Sequence, residues 1–155
     1  QDMLDTMYDA NGVGLAAPQV GVLKRIVVID ITDEKNNLLV LVNPYIKSHT
    51  EELAEFEEGC LSLKGLYEKV SRPDGVTVCA QDLDGKPFEI EATGLLAVCL
   101  QHELDHLDGT VFIDHLSRLK KDRAKTKLRK PRQAGCLWQC SAMSAPSSGT
   151  RASGS

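Results

Sequence analysis

A chain of 155 residues is long enough for one domain with its own hydrophobic core. An apolar share of 42% and a charged share of 26% are ordinary for a globular protein, and no stretch is long or apolar enough to span a membrane, which excludes a helical membrane protein. No basic and apolar leader marks secretion, and five widely spaced cysteines suit a reducing compartment, where cysteine is a core residue, a ligand or a nucleophile rather than a staple.

Met3, Leu4, Met7 and Tyr8 fall on one helical face, and Asn11-Gly12 ends that pattern as a C-cap would. No cap precedes them, so the chain reads as N-terminally incomplete. Residues 25–30 and 38–43 are short, β-branched and apolar, as strands are. Residues 67–71, 76–80 and 87–92 look similar, with Asp84-Gly85 as a hairpin signal between the last two. Strand follows strand with few helices between, which predicts antiparallel sheet. A helix is expected over 94–107, with Thr93 as its N-cap and Asp108-Gly109 as its stop. Its first residues are apolar all round, so it should be buried.

A third, highly charged helix is expected over 117–130, with a thin stripe of Leu119, Ala124 and Leu128, ended by Pro131. The net charge of −4 is unevenly spread. Residues 1–115 carry 21 acidic against 8 basic side chains, a sum of −13, whereas 116–132 carry nine basic residues against Asp122 alone, a sum of +8. Such a segment reads equally as a polyanion contact or as a solvated helix. Residues 131–155 show no periodicity and are expected to form a disordered tail foreign to a domain at 1–130. The predicted class is α+β: antiparallel β-sheets packed around a buried central helix, with a basic helix at the C-terminal end.

The strongest chemical signal is His102-Glu103-Leu104-Asp105-His106. Residues four apart on a helix share a face, so His102 and His106 can hold one divalent metal, with Glu103 beside them as a base toward water. An apolar helix turns polar at Gln101-His102-Glu103, and burying such groups is costly unless something pairs with them. A catalytic metal needs a third ligand. Asp108, Asp114 and His115 stand downstream. Upstream lies Glu57-Glu58-Gly59-Cys60-Leu61-Ser62, where Cys60 alone would read as a small buried hydrophobe. A third segment, Gly12-Val13-Gly14-Leu15-Ala16-Ala17-Pro18-Gln19, has small residues that let another backbone approach, and an amide at Gln19.

Taken together, the loop at 12–19, the strand at 58–62 and the helix at 102–106 resemble the peptide deformylase family, which carries these three motifs in this order. The resemblance runs from the first helix to about Lys130. It implies that Cys60, His102 and His106 hold one divalent metal: Fe(II) natively, with Zn(II), Ni(II) or Co(II) as substitutes. It implies hydrolysis of the N-formyl group from the initiator methionine of new polypeptides, with Glu103 as general base and the Gln19 amide and Leu61 backbone N–H as oxyanion donors. The Leu61 side chain should then be replaceable.

By the same resemblance, Val13, Leu95, Val98 and Cys99 match the methionine pocket, and the peptide backbone pairs with strand edges near Gly14 and Gly59. Arg72 and Asp105 are expected to form pairs that steady the site. The basic helix at 117–130 is implied to contact the ribosome, and the protein to act as a monomer, without a membrane, in a bacterial-type cytoplasm or an organelle of such descent. Two other readings stay open: a zinc endopeptidase sharing the helix motif, and a catalytically incompetent fragment.

Overall fold

Short apolar and alternating runs turn much of the first 93 residues into strands, and the computed structural model describes residues 1–129. Helix α1 (Asp2–Asp9) buries Met7 and leads into β1 (Gly14–Ala16). A single 3₁₀ turn, Ala17–Val20, separates β1 from β2 (Ile26–Ile29). Then come β3 (Leu39–His49), β4 (Leu53–Gly59), β5 (Tyr67–Pro73), β6 (Gly75–Gln81) and β7 (Pro87–Thr93). Helix α2 (Gly94–Leu107), a 3₁₀ turn at Phe112–His115 and helix α3 (Arg118–Arg129) follow.

Five strands make one antiparallel sheet in the order β1-β2-β3-β6-β7, and β4 pairs with β5 in a separate antiparallel ribbon. The main core lies between the sheet and α2. Val27, Ile29, Leu41 and Val78 point from the strands, and Ala97, Cys99 and Leu100 from the helix. A second core lies under α3, where Leu66, Val70, Phe112 and Ile113 meet Ala124. This is the α+β class that the sequence predicts, with α2 as the buried helix.

Several local expectations are corrected. β3 runs six residues further than the apolar run, because two register shifts carry it past Asn43 into a polar half. β1 and β4 were not expected as strands from pattern alone. β1 has only three residues, and β4 hides its period under outward Glu55 and Glu57. Thr93 precedes α2, but its hydroxyl makes no capping bond. In α3, Ala124 and Leu128 pack inward, yet Leu119 is 73% exposed. At 100° per residue Leu119 points about 140° away from Ala124, so the three never formed one stripe. The expected tail at 131–155 and the stop at Pro131 lie outside the described residues.

Candidate metal centre

Two distant parts of the chain supply the site. The β4–β5 ribbon ends at Gly59, and the chain turns at once, with Leu63 N–H donating to Cys60 C=O at 3.0 Å. That turn directs the Cys60 thiol at the polar end of α2. There Cys60 Sγ lies 3.1 Å from His106 Nε2, which lies 3.2 Å from His102 Nε2. Among the described residues, these three buried side chains form a group whose ligand atoms all lie within 4.8 Å of one another. Asp108, Asp114 and His115, the downstream candidates, are bonded instead to Arg25, Lys121 and Asp105.

The orientation of His102 is fixed from outside the group. Its Nδ1–H donates to Glu58 Oε2 at 3.0 Å, because a carboxylate can only accept, and this leaves Nε2 turned toward Cys60 and His106. Glu58 is itself gripped by Arg72 through Nε and Nη2, and Arg72 Nη1 reaches Asp105 at 2.8 Å. The expected Arg72–Asp105 pair is therefore present. Glu58, the link between it and His102, is the residue that sequence reasoning missed. Its signal was strand parity: Ala54, Phe56 and Glu58 share one face of β4, as Val70 and Arg72 do on β5.

The electrostatics follow from burial and neighbours. Burial pushes Glu58 upward, but bonds from His102 and Arg72 outweigh it and hold the carboxyl below its ordinary value. Burial likewise opposes ionisation of Cys60, yet the two imidazoles draw its thiol down to about 5, the thiolate form that metals bind. His102 feels burial in the opposite sense, and bonds to Cys60 and Glu58 overcome it and raise the imidazole to about 10. A thiolate and two carboxylates around one imidazole call for a positive charge at its ring, and a divalent cation supplies it. The residues fit a metal on these grounds of geometry, donor set and charge.

Glu103, beside the first histidine, is fully enclosed, and burial raises it to about 7 despite both histidines. Its Oε2 atom is buried with no hydrogen-bond partner among the described residues. Gly14 makes room for it: a Cβ there would stand 2.7 Å from Glu103 Oε1 and 3.0 Å from its Cγ. Gln19 is turned by the 3₁₀ turn so that its Oε1 accepts from Ala16 N–H at 2.8 Å, which points its Nε2 at Ser62 Oγ (3.1 Å) and Cys60 Sγ (3.6 Å). Leu61 N–H has no acceptor among the described residues.

The Leu61 side chain packs against the cluster of Met7, Leu15 and Val28, and a Cβ on Gly12 would meet its Cδ1 at 2.9 Å, so Gly12 is the position that leaves room for it. Val13 and Cys99 belong to the main core with Leu95 packed against them, and Val98 is buried on the same helix. Gly59 closes β4 opposite Tyr67, next to Cys60.

An α+β scaffold that presents a thiolate, two imidazoles and an unpartnered carboxylate at one buried point defines a metallohydrolase centre. The polypeptide deformylase family profile matches residues 1–122. A peptide deformylase of Azotobacter vinelandii is 56% identical over 129 residues, covering 83% of this chain and 77% of the relative. Peptide deformylase 1 of Pseudomonas syringae pv. tomato is 54% identical over 129 residues, with the same coverage. The crystal structure of a Legionella pneumophila peptide deformylase superposes with a TM-score of 0.77 at 56% identity, covering 84% of this chain and 81% of that one. The chain belongs to the polypeptide deformylase family.

Proposed function

We propose that this chain removes the N-formyl group from the N-terminal methionine of newly made polypeptides, with residues 1–130 as its catalytic domain. The observation that carries the reading is the buried Cys60–His102–His106 group with an orphaned Glu103 carboxylate beside it. That a Synechococcus elongatus peptide deformylase, 48% identical with a TM-score of 0.77, is solved in complex with actinonin supports the reading that this family takes up a ligand.

Cys60, His102 and His106 would hold one divalent ion, Fe(II) natively, with Zn(II), Ni(II) or Co(II) as substitutes; the thiolate softens the donor set toward such metals. When bound, that ion supplies Lewis-acid polarisation of the formyl carbonyl and acidifies water. Glu103 takes the water proton at its unpartnered Oε2 as the oxygen attacks the formyl carbon. It then returns a proton to the leaving methionine amine, which departs from formate. Gln19 Nε2–H and Leu61 N–H donate to the oxygen on which charge develops. Gln19 is suited to that role because Ala16 N–H already engages its Oε1. Val13, Leu95, Val98 and Cys99 would face the methionine side chain, and Gly14 and Gly59 would leave strand edges open to the peptide backbone.

The experiment compares Glu103→Gln and Cys60→Ser with the parent on formyl-Met-Ala, measuring formate and bound metal. Glu103→Gln should keep its metal and lose about 10²–10⁴-fold in rate, the usual cost of a general base. Cys60→Ser should lose both metal and rate, because a hydroxyl does not ionise to a ligand. A metal-free Glu103→Gln variant or an active Cys60→Ser variant would refute these roles. We further assign the protein to the cytoplasm, as a monomer that meets its substrate at the ribosome. No described helix is long and apolar enough to cross a membrane.

A further inference from the structure

The 3₁₀ turn Phe112–His115 lies just beyond α2 and reaches back to the metal-binding group from both of its ends. At the first end, the Phe112 ring stacks on the His102 imidazole, centroids 6.0 Å apart and planes 24° apart. At the other, His115 Nε2–H donates to Asp105 Oδ2 at 2.7 Å. The same Asp105 oxygen accepts from Arg72 Nη1 at 2.8 Å. Arg72 holds both oxygens of Glu58, and Glu58 accepts the Nδ1–H of His102. An unbroken path of charged and hydrogen-bonded groups thus joins His115, whose side chain is 37% exposed, to an imidazole in the interior.

The turn is itself well anchored. Asp114 accepts from Val111 N–H at 3.1 Å and from Lys121 of α3 at 2.5 Å, while Phe112 and Ile113 sit in the core with Ala124. His115 therefore stands on a fixed base. Asp105 does not, since its side chain is partly exposed and shares a single oxygen between two donors. With one donor gone, water competes for that carboxylate, and the guanidinium of Arg72 loses a firm third anchor.

We propose that His115 is a positioning residue for the metal centre. It holds Asp105 so that Arg72 keeps Glu58 in place, and through Glu58 it steadies the direction in which His102 Nε2 points. The inference rests on the reading that Cys60, His102 and His106 bind a divalent metal. It asks for donation from His115, not merely for a ring that fills space.

The test uses the full chain loaded with Co(II), comparing the parent, His115→Phe and His115→Gln. Phenylalanine keeps a ring and removes the donor, whereas glutamine restores an N–H donor without an imidazole. His115→Phe should bind Co(II) about 3- to 10-fold more weakly, less than the 10–100-fold usual for a partner bonded directly to a ligand. Its visible cobalt bands should shift, while its metal-free melting temperature stays near the parent's. His115→Gln should recover most of the affinity and the parent's spectrum. A His115→Phe protein with the parent's affinity and spectrum overturns the proposal. So does equal weakening in both variants, because donation would then not be what matters. A parent that shows no thiolate-to-cobalt absorption fails at the underlying metal reading instead, and the two failures are distinguishable by that band alone.

Discussion

The tightest constraint at the scale of single residues is the contact between Gly14 and Glu103. The three atoms nearest a Cβ at Gly14 all belong to the Glu103 side chain, so an added methyl group presses first on that carboxylate. Gly14→Ala should fold as the parent does, because the new methyl group meets one side chain rather than backbone, and Glu103 gives way by a small shift. Its rate on formyl-Met-Ala should fall by about 10-fold or more, within the range set by losing the base altogether. Unchanged kcat with an unchanged circular dichroism spectrum would show that Glu103 works from another position. That His102, Glu103 and His106 come together was legible in the sequence because helical spacing is local, whereas Cys60 joined them only through the family resemblance. Glu58 was legible only in retrospect, since its role depends on β4 and β5 meeting α2, and no local pattern encodes that meeting.

Among the elements, α1 is tied to the sheet through a half-buried polar contact. Tyr8 Oη–H donates to Asp30 Oδ2 at 3.0 Å, and Thr32 donates to Asp30 Oδ1 from both its N–H and its hydroxyl. Burial opposes ionisation of Asp30, but these bonds prevail and hold its carboxyl below the ordinary value. A carboxyl depressed in the folded state adds stability that is present above its unfolded pKa of about 3.9 and lost as pH falls through the lower folded value. Asp30→Asn should therefore flatten the acid limb of stability below about pH 5, as read from urea midpoints across pH. A parallel acid limb in parent and variant would contradict this. Element type was readable where a long apolar run lay between clear stop signals, as in α2, whose predicted bounds match the observed Gly94–Leu107. It failed where strands carried outward glutamates, as in β4, or were too short to show a period, as in β1. The Leu119 error had a different origin: any leucine on a polar helix attracts an inward assignment, but only the angle to Ala124 and Leu128 decides it.

On the scale of the whole molecule, charge is segregated. The body through residue 115 sums to −13, and the segment at 116–132 sums to +8, with most of its cations on α3. Phosphate backbones repel the first and attract the second, so α3 is the expected contact with ribosomal RNA. Co-sedimentation with ribosomes should weaken as salt rises and vanish when residues 117–155 are removed. Binding indifferent to both would exclude an electrostatic contact.

The proposed ligand set also has a mechanical meaning. Cys60 stands just past the β4–β5 ribbon and the two histidines on α2, elements also joined by the Glu58–His102 and Arg72–Asp105 bonds. An ion bound by all three acts as a cross-link that closes a loop of some forty residues, and it exists only in the folded chain. Folding and metal binding would then be linked equilibria, in which free ion at 100 times its dissociation constant adds about 2.7 kcal/mol of stability. Stripping the ion with a chelator should lower the melting temperature by several degrees, and adding back Ni(II) or Co(II) should restore it in proportion to affinity. The cell's supply of metal would thereby govern how long each copy of the protein survives proteolysis, as well as how fast it works.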